Sequence, residues 1–124
     1  MAFANLTPVD FERVRIRGGF WAPRIQTIRE VTAWACIDQC EATRRIDNFR
    51  RAGGLAEGGF EGIFFNDSDV YKVLEGASYV LMGGADPKLE AKVDEIIDAI
   101  CAAQQPDQLA DLEHRGQGSS RTAT

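Results

Sequence analysis

The hydrophobic pattern begins with a short alternating segment. In residues 11–17, Val14 and Ile16 alternate with arginines at positions 13, 15 and 17. Alternation with a period of two residues is typical of a half-buried strand. We therefore expect a short N-terminal β-strand that ends at Gly18 and Gly19.

Helical periodicity replaces this alternation from Trp21 onward. Pro23 suits a first helical turn, because the N–H that proline lacks has no partner there. The spacing predicts a helix that extends to about Ile46, with one broad apolar face formed by Ile25, Ile28, Ala35, Cys36 and Cys40. Arg29 interrupts this face without a reason that the sequence shows. Trp21 and Trp34 are predicted to be packing residues.

A glycine-rich segment separates this helix from the next one. Residues 48–59 contain two Gly-Gly pairs and are predicted to form a loop. The four polar residues 66–69 are of the types that begin helices, because their side chains accept hydrogen bonds from first-turn N–H groups. The helix that they start is predicted to end at Gly83-Gly84. Its apolar face comprises Val70, Val73, Leu74, Ala77 and Leu81.

The last helix has the clearest amphipathic pattern. Asp86 and Pro87 suit its N-cap and first helical position. Its apolar stripe comprises Leu89, Val93, Ile96, Ile97, Ile100 and Ala103. Three helices in stacked hairpins predict an all-α fold. Three helices cannot bury all of these faces, so we expect exposed apolar surface that would allow self-association.

The pattern weakens after Asp107. Residues 108–124 are rich in Gly, Ser and Thr, and their only apolar pattern is Leu109 with Leu112. Such a composition cannot bury enough surface to offset the entropy of ordering. We expect a domain over residues 1–107 and an aberrant, disordered tail over residues 108–124.

Composition and charge narrow the class of protein. The net charge is −5, and the arginines of the first half are interspersed with acidic residues, so we expect no nucleic-acid partner. No apolar run is long enough to span a membrane, and residues 1–10 do not resemble a signal peptide. Three cysteines without a C-x-x-C pair are typical of a reducing compartment, which predicts a cytoplasmic protein.

The polar residues before the second helix are candidates for chemistry. Asp67 and Asp69 could form a glycosidase-type carboxylate pair, contact substrate hydroxyls, or simply cap the helix, which requires the fewest assumptions. Phe60, Phe64 and Phe65 could offer a flat surface to a sugar ring, but core packing is favoured for all three.

The cysteines offer a weaker possibility. Cys36 and Cys40, four residues apart on a helix, could form half of a zinc site, but no neighbouring Cys or His completes it. Core packing is favoured for both and for Cys101. We therefore predict no metal site and no catalytic residue in this chain.

The stretch from Phe60 to Glu75 resembles the N-terminal signature of glycoside hydrolase family 127, the β-L-arabinofuranosidase family. The matching pattern is Phe60-x-Gly62-x-x-Phe65-x-Asp67-Ser68-Asp69-Val70-Tyr71-Lys72-x-Leu74-Glu75. Further similar segments follow the family's order: Gly19-Phe20-Trp21 with Arg24, Arg45-Ile46-x-Asn48-Phe49, Asp86-Pro87 with Leu89, and Ala103-Gln104-Gln105-Pro106-Asp107.

The resemblance implies part of an (α/α)6 barrel catalytic domain that removes non-reducing terminal β-L-arabinofuranose from a carbohydrate substrate. In such a family the nucleophile is a zinc-bound cysteine and the acid/base is a glutamate. The resemblance places these residues and the zinc ligands beyond the matched stretch. The full-length member is therefore expected to bind zinc, and this chain alone is expected to be inactive. Candidate sugar-pocket residues are Asn48, Phe65, Asp67 and Asp69. The alternative is a small helical protein-interaction module without catalysis.

Overall fold

The computed structural model describes residues 6–104, which are helical with irregular connections. Helix α1 (Ala22–Thr27), a π-helical turn (Ile28–Thr32) and α2 (Ala33–Ala42) follow one another directly. Three further helices complete the fold: α3 (Arg45–Ala52), α4 (Asp67–Met82) and α5 (Pro87–Ala103). Over this range the all-α prediction is confirmed.

The prediction of an N-terminal strand is wrong. Phe11–Arg13 form a 3-10 helix, and residues 14–17 have no regular structure. A strand needs a neighbour to pair its backbone N–H and C=O groups, and residues 6–104 contain no strand that could be that neighbour. Val14 and Ile16 are accordingly more than half exposed.

The boundaries predicted for the first helix and the first loop are also wrong. The helix ends at Ala42, because Arg44 adopts a left-handed backbone with φ of 58°. A new helix, α3, then begins at Arg45 and occupies the first part of the predicted loop. The glycines that suggested a loop begin only at Gly53, which is the C-cap of α3. The described chain therefore has four helical segments, counting α1 to α2 as one, rather than three.

Helices α4 and α5 begin and end where the sequence predicts. Gly83 is the C-cap of α4, and Pro87 is the first residue of α5. The carboxylate of Asp86 accepts a hydrogen bond from the Leu89 N–H at 3.1 Å, as an N-cap should.

The core lies between α2, α3, α4 and α5. Its largest fully buried side chains are Ile37, Ile46, Phe49, Val70, Leu89 and Ile96. The predicted stripes of α4 and α5 supply much of this core, except that Ile97 is exposed. Helices α3 and α5 approach closely at Gly53, where an added Cβ would lie 2.8 Å from the Ala102 Cβ.

The broad apolar face predicted for the first helix is not the buried one. Of the predicted face only Cys40 is buried, as predicted for that residue. Neither α1 nor the π-helical turn has a buried residue, and α2 buries Ala33 and Ile37 beside Cys40. Cys36 and Cys101 are exposed, which corrects their assignment to the core. Five large exposed side chains, here called the apolar face, are Phe20, Trp21, Ile25, Ile28 and Val31. Trp34 does pack against the core, as predicted, but Trp21 does not.

Residues 6–104 do not test every sequence-based prediction. The expected tail and the boundary at residue 107 fall beyond residue 104. The partial (α/α)6 barrel stays a prediction, because four helical segments do not define a barrel. Within residues 6–104, no helix combines the length and the apolar character that crossing a membrane requires.

Candidate functional site

Residues 58–66, here called the aromatic loop, form the second part of the connection from α3 to α4 and display two exposed aromatic rings. Phe64 and Phe65 are 70% and 56% exposed, and their rings meet edge to face with centroids 5.0 Å apart. Phe60, by contrast, packs against the core. The prediction of core packing is therefore confirmed for Phe60 and wrong for Phe64 and Phe65, which form an exposed pair.

The side chain of Asn48, on helix α3, is hydrogen-bonded to this loop. It is buried, and its Nδ2 group donates to the Glu61 carbonyl at 2.9 Å. The Glu61 N–H donates back to Asn48 Oδ1 at 3.0 Å. The amide therefore pairs with both polar groups of one residue's backbone, as a neighbouring strand would. These two hydrogen bonds join α3 to the aromatic loop.

The carboxylate of Glu61 also forms ion pairs with two arginines. Arg51 contacts the carboxylate at 2.8 Å and also donates to the Gly59 carbonyl at 2.7 Å. Arg44 lies 3.6 Å from the same carboxylate. Neither Glu61 nor these arginines could be recognised from the sequence, because a lone acidic residue between Phe60 and Gly62 has no characteristic pattern.

Asn66 occupies the N-cap position of α4, but its side chain does not cap the helix. The Nδ2 group donates to the Glu61 carbonyl at 3.2 Å, while Oδ1 is buried without a hydrogen-bond partner. Gly62 makes room for this side chain: its φ is 98°, and an added Cβ would lie 2.4 Å from Asn66 Nδ2. Only glycine fits that position without a rearrangement.

The two candidate carboxylates have different partners. Asp67 accepts a hydrogen bond from the Ser68 N–H at 2.9 Å, which is a local capping interaction. Asp69 does not cap; it pairs with Arg45 Nε at 3.0 Å and with Lys72 Nζ at 3.4 Å. Capping therefore accounts for Asp67 and an ion pair between α3 and α4 accounts for Asp69.

Tyr71, one turn into α4, lies next to these groups. Its ring meets Phe49 edge to face at 5.7 Å. Partial burial raises the pKa of Tyr71, and the negative charge of Asp67 raises it further. The hydroxyl therefore stays protonated at neutral pH and serves as a hydrogen-bond donor or acceptor.

The structure brings the four predicted site residues into one region. Asn48 is hydrogen-bonded to Glu61 of the aromatic loop, and Asp69 is paired with Arg45 of α3. In the sequence, Phe65 and Asp67 lie between Glu61 and Asp69. An exposed aromatic pair next to partly exposed carboxylates can stack on a sugar ring and accept hydrogen bonds from hydroxyls.

The described residues do not fit a zinc site. No group of three or more His, Cys, Asp or Glu side chains in residues 6–104 is arranged to hold a metal ion. Cys40 is buried and Cys36 is exposed, and burial raises the pKa of the Cys40 thiol, which disfavours the thiolate that zinc needs.

Comparison with known proteins gives consistent results. Residues 13–111 match the family described as "Beta-L-arabinofuranosidase, GH127 catalytic domain". The chain is 41% identical over 70 residues to a non-reducing end beta-L-arabinofuranosidase of Bifidobacterium longum, a match that covers 56% of this chain and 11% of that protein.

Two solved structures share the fold. A GH127 beta-arabinofuranosidase is 37% identical with a TM-score of 0.76, over 87% of this chain and 17% of its own. A GH127 beta-L-arabinofuranosidase from Geobacillus stearothermophilus T6 is 30% identical with a TM-score of 0.79, over 87% of this chain and 18% of its own. The chain thus spans less than a fifth of each of these relatives. Because the family match extends over most of its residues, the chain belongs to the GH127 β-L-arabinofuranosidase family and matches part of the catalytic domain.

Proposed function

We propose that this chain is the N-terminal portion of a glycoside hydrolase that acts on non-reducing terminal β-L-arabinofuranosides. The match of residues 13–111 to the catalytic domain of the family carries this proposal. The Bifidobacterium relative, whose name states that activity, supports the substrate class. Since the chain spans 11% of that relative, activity would require the remainder of such a domain.

Within this portion, the proposed contribution to the site is substrate binding. Phe65 offers an exposed ring for a sugar face, and Asp67 and Asp69 offer oxygens for sugar hydroxyls. Asn48 would act indirectly, by holding the aromatic loop. The zinc expected in the full-length member would be held by residues outside 6–104. We also propose a cytoplasmic location, on the ground that the sequence contains three cysteines and no C-x-x-C pair.

We further propose that the 124-residue chain does not hydrolyse glycosides by itself. Retaining hydrolysis needs a nucleophile and an acid/base placed on either side of the bond. Asp69 is engaged with Arg45 and Asp67 with the Ser68 N–H, so neither is poised for proton transfer. Burial also raises the pKa of Cys40, which opposes the thiolate form that a nucleophile needs.

An activity assay tests the inactivity of the isolated chain. p-Nitrophenyl β-L-arabinofuranoside is incubated with the chain, with and without added zinc, and released nitrophenol is followed. We expect no release above that of a heat-treated sample. Turnover that disappears in Asp69→Asn would show that this carboxylate is catalytic and would contradict the proposal.

A chimeric enzyme tests the parent function. The corresponding segment of the Bifidobacterium enzyme is replaced by residues 13–104 of this chain, and folding is checked by circular dichroism. We expect a folded chimera to cleave the β-L-arabinofuranoside, and Phe65→Ala or Asp67→Asn to raise its KM. A folded chimera without activity would argue that this chain has left the function of its family.

A second candidate function is self-association through the apolar face. Trp21 and Phe20 are each 61% exposed, and the three aliphatic residues of the face lie between 43% and 58% exposed. Several large apolar side chains exposed within one short segment are typical of a surface that binds another protein. If the face binds a second copy, sedimentation velocity will show a concentration-dependent dimer that Ile25→Asp abolishes and the loop variant Leu55→Asp preserves. A monomer at all concentrations would remove this candidate.

A further inference from the structure

We infer that Asn48 and Glu61 are positioning residues, which together fix the aromatic loop and set where the Phe64–Phe65 pair stands beside the start of α4. The inference rests on the proposed function in one respect, since it takes the aromatic pair to be the ligand-binding surface. The placement of the pair itself can be tested without a ligand.

The first observation is that three side chains converge on Glu61. Asn48 pairs with both its N–H and its carbonyl, Asn66 donates to the same carbonyl, and Arg51 binds its carboxylate. The loop has no other residue held in this way among the hydrogen bonds and ion pairs of residues 58–66. Glu61 is therefore the residue through which the loop is mainly attached to the rest of the fold.

The second observation is that both asparagine side chains are buried, whereas the carboxylate of the ion pair is half exposed. Asn48 is 2% exposed and Asn66 is 5% exposed. The Arg51 side chain is 9% exposed, but that of its partner Glu61 is 52% exposed. Exposed ion pairs contribute little to stability, while breaking a buried hydrogen bond leaves a polar group unsatisfied. The amide of Asn48 should therefore dominate the attachment of the loop.

The third observation is that the aromatic pair depends on this attachment. Phe64 and Phe65 do not belong to the core cluster, so packing against the core does not hold them. They are the central residues of a turn closed by the hydrogen bond from the Asn66 N–H to the Ile63 carbonyl at 3.0 Å, and the position of this turn depends on how the loop is attached. They lie between Glu61 and Asn66, which are joined by the hydrogen bond of Asn66 Nδ2 to the Glu61 carbonyl. Gly62, whose φ is 98°, forms the bend at the start of that short segment. A surface fixed in advance binds a ligand without the cost of ordering it.

The test replaces Asn48 with Asp, which keeps the acceptor for the Glu61 N–H but loses the donor to its carbonyl. The matched control is Gln39→Glu, the same change of amide to acid at an exposed position of α2. Both are made in the full chain labelled with 4-fluorophenylalanine. The fluorine signals of Phe64 and Phe65 are assigned from their leucine variants.

In Asn48→Asp we expect the signals of Phe64 and Phe65 to shift and broaden, and the Glu61 amide to exchange hydrogen about tenfold faster. The amides of α5 should change by less than about twofold, which a general loss of stability would not allow. Gln39→Glu should leave every signal unchanged. Unchanged fluorine signals in a folded Asn48→Asp chain would overturn the inference.

A measurement on the unaltered chain covers the case in which Asn48→Asp does not fold. The Glu61 N–H should exchange about a hundredfold more slowly than the N–H of Glu57, an exposed residue of the same connection. Equal exchange rates would show that Asn48 does not hold the loop and would overturn the inference.

A ligand measurement then separates this inference from the proposed function. p-Nitrophenyl β-L-arabinofuranoside is titrated into the fluorinated chain. A shift of the Phe65 signal that is lost in Asn48→Asp supports both ideas. Loop opening in Asn48→Asp without any ligand shift in the unaltered chain supports the positioning role and counts against sugar binding by this chain.

Discussion

At the scale of single residues, Arg29 shows how a charge on an apolar face can be structural. Its guanidinium donates to the carbonyls of Val80, Gly84 and Ala85 at 3.2, 2.8 and 2.6 Å. These carbonyls lie at the C-terminal end of α4 and in the turn after it, where a helix leaves acceptors unpaired and the dipole favours a cation. Arg29 thereby joins the π-helical turn to α4.

We predict that Arg29→Gln lowers the free energy of unfolding by about 1–3 kcal/mol, because three carbonyls lose a charged donor. Urea denaturation followed by circular dichroism measures the change. Arg17→Gln, which removes an exposed arginine of the N-terminal segment, should remain within about 0.5 kcal/mol of the unaltered chain. Equal effects of the two substitutions would mean that the interactions of Arg29 contribute no net stability.

The two glycines at positions 62 and 76 should respond oppositely to alanine. Gly62→Ala should destabilise by about 1–3 kcal/mol, since its φ is 98° and its Cβ would collide with Asn66 Nδ2. Gly76 lies within α4 with open space around it, so Gly76→Ala should stabilise by about 0.5–1 kcal/mol. Thermal unfolding of both variants provides the comparison. Stabilisation by Gly62→Ala would show that the loop adopts another conformation in solution.

At the scale of secondary-structure elements, an ionic cluster joins α2, α3 and α5. Arg50 of α3 binds both carboxylate oxygens of Glu41 at 2.7 and 2.8 Å, and its other contacts include Glu95 at 2.6 Å. Lys92 of α5 also reaches Glu41 at 2.7 Å. The hydrogen bond from Arg50 holds the pKa of Glu41 at about 2, although partial burial acts in the opposite direction. Bidentate pairs of this kind fix geometry as well as charge.

The cluster should make stability depend on acid pH. The pKa of Glu41 is about 2 in the folded chain and 4.5 for the free group, so its contribution is present above pH 4.5 and is lost as the pH falls towards 2. We expect Glu41→Gln to cost about 1–2 kcal/mol near pH 7 after allowance for solvent screening, and progressively less below pH 4.5.

Urea denaturation across this pH range tests the prediction. Asp94→Asn, an exposed acid of α5 outside the cluster, serves as the control and should follow the unaltered chain. A penalty for Glu41→Gln that stays constant down to pH 2 would show that packing of this side chain, and not its charge, stabilises the fold.

At the scale of the whole molecule, packing is unevenly distributed. The core residues come from α2 to α5, while α1 and the π-helical turn bury none of theirs. The apolar face is therefore not needed for the core. Its exposure is consistent with a chain that spans less than a fifth of its structurally similar relatives.

Substitutions in the core and on the apolar face should accordingly lower the free energy of unfolding by different amounts. We predict that Ile96→Ala lowers the unfolding free energy by about 2–5 kcal/mol, because it leaves a cavity in the core. Ile28→Ser on the apolar face should change it by less than about 0.5 kcal/mol and should reduce the binding of a hydrophobic dye. Both are measured at low protein concentration. A large cost for Ile28→Ser would indicate that the apolar face is covered in solution.

Part of the candidate site could be predicted from the sequence because its signals are local. The exposed aromatic pair is flanked by the glycine of residue 62 and by the polar residues that start α4, and these lie within a few positions of one another. The partners that hold the site lie elsewhere: Asn48 is 13 residues from Glu61, and Arg45 is 24 residues from Asp69. The buried acceptor of Asn66 likewise has no signature, since an N-cap asparagine normally points at its own helix.

The bounds of α4, the start of α5 with its Asp86 cap, and the helical class follow from the order of the residues, because such caps, glycine stops and a period of 3.6 residues are set by neighbouring positions. The packing of the helices against one another sets the other features. It left residues 14–17 without a partner strand, placed Arg44 in a left-handed turn that creates α3, and chose Ala33, Ile37 and Cys40 as the buried side of the first helical segment. Each outcome depends on which surfaces come together, and a periodic pattern shows that a face is apolar without showing what lies opposite it.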